Sequence, residues 1–188
     1  MVAISKNLIL HGLDYAAVKT VTADSSSALT FGTLYELQNM QELALTPKVN
    51  MQELRAKGEI ISVYSRLESI PFTFTNATMG MDVLAVLTGA DAPTAGGTTP
   101  NQTQTLNIET AGLLPYFKFE GKINYVESPG GDVGDVHIIL WKCKLTDWKF
   151  SLTQDGFASV SGGGTALATV NTGYIMSLVA NETATDVS

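Results

Sequence analysis

The sequence predicts an all-β fold, a β-sandwich or barrel, with one flanking α-helix. Three observations carry this. Apolar and polar residues alternate over much of the chain, the two-residue period of half-buried strands. Clusters of Gly, Pro, Asp and Asn punctuate these runs. One short segment, about 79–88, has helical spacing with start and stop signals.

Taken in order, 16–22 reads as a strand and 23–28 as a polar connection. Residues 34–46 hold one or two strands. Residues 59–65 (EIISVYS) and 70–75 (IPFTFT) read as two more, the latter with Ile70, Phe72 and Phe74 on one face. The helix at 79–88 (MGMDVLAVLT) has Thr78 as N-cap, Asp82 in its first turn and Gly89 as its stop. Gly80, Val83, Leu84 and Leu87 share a face. Residues 90–105 are poor in apolar side chains and read as a flexible loop.

The clearest strand is FKFEGKINY at 117–125. Phe117, Phe119, Ile123 and Tyr125 face one way, and Lys118, Glu120, Lys122 and Asn124 the other. The turn-rich SPGGDVGD (128–135) joins it to a second strand with Ile139, Trp141, Cys143 and Leu145 on one face. Parity then flips to Trp148, Phe150 and Leu152, so a bulge near Thr146-Asp147 is expected. Asp155-Gly156 is a turn signal. Residues 157–170 are β-prone but broken by Ser161-Gly162-Gly163-Gly164, and 174–179 is a last short strand. The whole 188-residue chain reads as one domain, with a long loop or arm at 46–58 and a flexible tail at 181–188.

Composition narrows the function. Eighteen acids against eleven bases give −7, the wrong sign for a dedicated nucleic-acid binder. One cysteine, Cys143, excludes an internal disulfide and a Cys-rich zinc site. No apolar run approaches the length of a membrane-spanning helix. The first residues lack the pattern of a secretory signal, which leads us to expect synthesis in the cytosol. Charged residues are only 15%, well below the ~25% of a typical soluble domain. Burial against copies of itself would explain that. After Lys149 there is no base, while Asp155, Glu182 and Asp186 remain. This is either a solvated acidic edge or a surface that must repel phosphate.

Candidate chemistry is sparse. Asp132, Asp135 and His137 have cation-ligand spacing but sit at a hairpin tip without dense carboxylates. Gly162-Gly163-Gly164-Thr165 lacks the lysine and following helix of a phosphate loop, and reads as a flexible loop or strand break. Cys143 lies mid-strand on an apolar face and reads as an inert core thiol. Trp141, Trp148 and Tyr116 could make a platform for sugars or bases, with packing as the default. No catalytic, cofactor-binding or metal-ligating set emerges, so no enzyme and no cofactor is expected.

The segment 46–58, TPKVNMQELRAKG, stands apart. It is long for a connection between strands, and such loops are usually functional or disordered. It is either a solvated excursion or an arm that docks on a neighbouring copy. As an arm it would use Val49, Met51 and Leu54 as anchors, with Lys48, Glu53, Arg55 and Lys57 setting register.

The order of elements resembles the major tail proteins (tail tube proteins) of long-tailed bacteriophages with non-contractile tails. The resemblance rests on ELRAKGEIISVYSRLESIPFTFTNATMGMDVLAVLTG, on the Thr/Gly-rich loop after it, and on PYFKFEGKINYV with HIILWKCKLTDWKFSLTQDGFASV. It rests on order and pattern rather than an invariant motif, and covers roughly 15–180. It implies a phage tail-tube-like fold: a β-sandwich with one flanking helix. It further implies rings, commonly of six, stacked into a tube that conducts the genome. The arm would reach the adjacent ring. A tape-measure protein fills the lumen before DNA does, tail-tip and terminator proteins close the ends, and DNA passes without specific binding. Assembly in the bacterial host cytoplasm into the virion tail would follow. Which residues face the lumen is not legible. The alternatives are a β-sandwich carbohydrate- or receptor-binding module, and an accessory virion protein such as a tail terminator or capsid decoration.

Overall fold

The computed structural model describes residues 9–78, 80–109, 113–126, 132–152 and 159–187; of residues 9, 11, 126, 132 and 133 it describes the backbone only. In chain order the strands are β1 (Ile9–Asp24), β2 (Leu29–Leu37), β3 (Met40–Leu45), β4 (Lys48–Ala56) and β5 (Glu59–Asn76). Helix α1 (Met81–Thr88) follows, then β6 (Thr94–Gly96), β7 (Thr103–Thr105), β8 (Phe117–Val126), β9 (Asp132–Ser151), β10 (Ser159–Ala166) and β11 (Met176–Asn181). Among the described residues the fold is all-β with one helix, and its ladders are antiparallel.

The main sheet runs β2-β1-β8-β9-β10-β5-β3, with β11 also on β9 and β4 also on β5. It curls on itself until β3 comes alongside β1. Rings from strands three apart in the order therefore meet: Phe72 and Phe74 of β5 lie 5.7 and 6.2 Å from Phe119 of β8. Val18, Leu37, Ile70, Phe117, Leu140, Cys143 and Leu145 complete this core. Helix α1 packs on β1 and β2 and adds Val83 and Leu87. Gly80, not Thr78, precedes its first turn, without a side-chain cap. The Thr78 hydroxyl instead donates to the Gln38 carbonyl, 3.0 Å away. Gly89 ends the helix in the left-handed region. The loop 90–105 carries the exposed hairpin β6–β7.

Three expectations change. Residues 59–65 and 70–75 are not two strands but the two ends of one, β5. The glycine run is neither loop nor break: it is the middle of β10, paired with β5 on one side and β9 on the other. A Cβ on Gly164 would lie 2.5 Å from the Phe72 ring, and one on Gly162 2.9 Å from Phe74. The glycines are absent side chains that make room for two core rings. The expected bulge is present: Gly163 pairs with Asp147 and Gly164 with Leu145, which skips Thr146. The Asp155-Gly156 turn and most of the 128–135 turn lie outside the described residues.

The polar face of β8 is the third change. In a half-buried strand the face of Lys118, Glu120 and Lys122 is the one left to solvent, yet all three are buried. Lys118 lies over the rings of Phe31 and Trp141 and 2.8 Å from Glu120. Lys122 lies over Tyr15 and 3.6 Å from Asp135. The far end of the chain crosses the same face. The backbone N–H of Thr185 and the side-chain amide of Asn181 each donate to Asp135 at 2.7 Å, Tyr15 donates to Asp186, and Val187 is buried.

Candidate functional site

Among the described residues two apolar surfaces are left without a covering. The first is the β4–β5 arm. Lys57 and Gly58 both have positive φ, the geometry of a tight two-residue hairpin turn. From that turn the strands pair back to Lys48↔Ser69. The arm is thus a ribbon spanning 48–69, longer than the segment 46–58, and every residue from Lys48 to Glu68 is exposed.

Paired residues share a face. Val49 pairs with Leu67, Met51 with Ser65, Glu53 with Val63 and Arg55 with Ile60. One face is therefore Val49, Met51, Ile60, Val63 and Leu67, crossed by a Glu53–Arg55 ion pair at 2.5 Å. The other carries Lys48, Asn50, Gln52, Arg66 and Ser62, with Leu54 and Tyr64. Of the three anchors read from the sequence, Val49 and Met51 share the apolar face and Leu54 lies on the polar one. Lys48 faces Glu68 at 3.5 Å, and Lys57 is in the turn. Ile60, Val63, Tyr64 and Leu67 were missed as arm residues. The signal was present: Lys57-Gly58 separates two runs of equal length, and equal runs about a turn signal mean a hairpin.

The second surface is the far end of β9. Beyond the bulge, Trp148 and Phe150 continue the core-facing side past the core itself. They are 39% and 45% exposed, with rings edge-to-face at 5.1 Å, and Leu152 beside them is 79% exposed. One edge of this stretch pairs with β10. Strand β8 pairs no further along β9 than Cys143, so among the described strands nothing pairs with the other edge of 145–151. Of the three aromatic residues considered as a platform, only Trp148 belongs here. Trp141 donates to Ser177, and Tyr116 stacks under Lys142 and Lys144.

The polar candidates are structural. Asp135 and His137 are buried, and His137 Nδ1 is 2.7 Å from Glu120. Burial alone would raise the Asp135 carboxyl; bonds from Asn181, Thr185 and His137 outweigh it and hold the group below its usual value. The side chain of Asp132 lies outside the described residues. Among those described, no three of His, Cys, Asp and Glu are grouped to hold a metal ion. Burial raises the Cys143 thiol well above its usual value, which leaves it inert. Of the three late acids, Glu182 and Asp186 are exposed and Asp155 is outside the described residues. Among the described residues no helix is long and apolar enough to cross a membrane.

No protein-family model and no curated protein matches this chain. Among solved structures, a chain in the cryo-EM structure of the anti-feeding prophage (AFP) baseplate, 6-fold symmetrised, is similar over 94% of this chain and 97% of its own. The identity is 10% and the TM-score 0.41.

Proposed function

We propose that this chain is a non-catalytic structural subunit of a phage virion that assembles with copies of itself into stacked rings, the tail tube through which the genome leaves. The arm carries this reading. A lone two-stranded ribbon is marginal in water, and eight large apolar side chains are exposed on this one: Val49, Met51, Leu54, Ile60, Ile61, Val63, Tyr64 and Leu67. Exposed apolar surface of that extent marks a protein–protein contact. The low charged fraction, the acidic balance and the sequence resemblance support the tube in particular. On that reading rings of six, a tape-measure protein in the lumen and tip and terminator proteins at the ends are the partners. DNA passes an acidic wall that does not hold it.

The test is negative-stain electron microscopy with light scattering at rising concentration. Wild-type protein is expected to form rings or hollow tubes. A variant with residues 49–67 replaced by a two-residue Asn-Gly turn is expected to stay folded and lose tube growth. Tubes that grow normally from that variant would refute the arm's role.

A second reading has one observation in its favour. The exposed Trp148–Phe150 pair is the kind of surface on which a sugar ring stacks, as in a carbohydrate- or receptor-binding module. A persistent monomer that binds glycans would select it.

A further inference from the structure

We infer that the arm's receiving site is the Trp148–Phe150–Leu152 shelf of a second copy, with β4 laid along the open edge of residues 145–151. This rests on the assembly reading and names the other half of its contact. Two observations converge on it. The arm's apolar face is built of aliphatic side chains and the shelf of two aromatic rings and a leucine, so laid side by side they join into one apolar face with cross-strand neighbours in contact. Among the described strands both have an unpaired edge of similar length: β4, nine residues, pairs only with β5, and 145–151 only with β10. Open edges of this kind accept a further strand, with backbone hydrogen bonds adding to the side-chain contact. Charge is compatible with the same pairing. Residues 48–69 hold four bases (Lys48, Arg55, Lys57, Arg66) and three acids (Glu53, Glu59, Glu68), a net of +1, and the shelf stretch 145–152 holds Asp147 and Lys149, a net of zero, so neither side sets a like-charge field against the other.

The geometry is head-to-tail. The arm and shelf are different patches, so in this arrangement each copy gives an arm to one neighbour and receives one from another, and the contact propagates; a reciprocal exchange between two copies would close as a dimer, and growth beyond two copies distinguishes them. The aromatic shelf is also where the contact is strongest, since buried aromatic anchors dominate interfaces.

The decisive experiment uses two single-cysteine additions in otherwise intact chains. Met51→Cys and Phe150→Cys are made separately, with tags of different size, then mixed and oxidised. Cys143 is buried and stays out of the reaction. A mixed disulfide dimer is expected at least ten-fold above that from Met51→Cys with Leu178→Cys. Leu178 is exposed elsewhere, on β11. In parallel, Phe150→Asp with Leu152→Asp is expected to abolish growth of wild-type assemblies while Cys143 remains protected from thiol reagents, which reports an intact fold. If the Leu178 pair links as strongly, or the Asp variant assembles like wild type, the shelf is not the receiver. If wild type stays at 20.0 kDa at every concentration, the assembly reading falls and takes this pairing with it. If a glycan shifts Trp148 emission in such a monomer, the shelf belongs to the sugar-binding reading.

Discussion

Strand β5 is two structures on one backbone. Its second part, 70–76, is the centre of the body: β10 pairs with one edge, β3 with the other, and Ile70, Phe72 and Phe74 are at most 2% exposed. Its first part, 59–69, has one partner, β4, and Ile61 and Tyr64 are each 63% exposed. The two parts do not differ in apolar content. They differ in neighbours, and a strand is buried by what packs on its faces rather than by its own pattern. The first part is as ready for a core as the second but lacks one within the chain.

The sharpest break in this comparison is truncation of a ring in the body part. Phe72→Ala is expected to lower the unfolding free energy by about 3–5 kcal/mol in urea titration, the cost of a large cavity. Next comes Gly164→Ala. Its new Cβ would meet the Phe72 ring at 2.5 Å and the Lys144 carbonyl at 2.8 Å, and we expect a loss of about 3 kcal/mol from overpacking. A stable Gly164→Ala protein would mean the rings can move aside.

A smaller effect comes from Asp24, which ties the body together. Lys142 donates to it at 2.7 Å and the Val170 N–H at 2.9 Å. The Lys142 bond is the main reason the carboxyl sits below its usual value. Because the folded value lies below the unfolded one, the stabilisation is complete above the unfolded value of about 3.9. It is lost as pH falls through the folded value. Asp24→Asn is expected to cost about 2 kcal/mol at pH 7. The gap from wild type should close in titrations below about pH 4; a gap independent of pH would refute the charged pair. The smallest stability effect belongs to the arm. Tyr64→Ala should change unfolding by no more than about 0.5 kcal/mol, yet reduce self-association in sedimentation velocity. A large loss of stability there would show that the arm folds back on its own body.

The comparison also explains what could be read from the sequence. The pairing of β8 with β9 was legible because alternation is a local signal, but half of the face read for β9 was wrong: Ile139 pairs with Glu120 and Trp141 lies under Lys118, while Leu140 takes the core place opposite Phe119, because a register shift separates it from Cys143. The buried polar face of β8 was not legible, because Lys118 and Lys122 look solvent-bound until Phe31, Trp141 and Tyr15, distant in the chain, are laid over them. The glycine run was misread for the same reason. Its need for empty space comes from Phe72 and Phe74, roughly ninety residues earlier, and no window around Gly163 contains them. The arm was half legible: loop length exposed Val49 and Met51, while the pairing that adds Val63 and Leu67 is a property of both strands at once. The shelf was invisible, since Trp148 and Phe150 have a core pattern, and only the body's finite extent leaves them bare.

The register of the arm skips one residue at its root. Lys48 pairs with Ser69 and Val49 with Leu67, so Glu68 is extra, at the point where β5 leaves its core neighbours. Such a bulge bends a strand locally. The eleven residues from there to the turn extend roughly 35 Å at ~3.3 Å each. The arm is therefore a lever with its fulcrum at Glu68. A tilt of about 10° there would carry the tip about 6 Å, on the scale of one strand spacing. On the proposed assembly, copies joined through such levers lean relative to one another while each tip stays seated, and an object built from them curves without parting at its joints. Deleting Glu68 removes the shift at the root and leaves the one at Ile61 near the tip; on the proposed assembly it is expected to stiffen the polymer, read as a longer persistence length in electron micrographs, and an unchanged curvature distribution would place the compliance elsewhere.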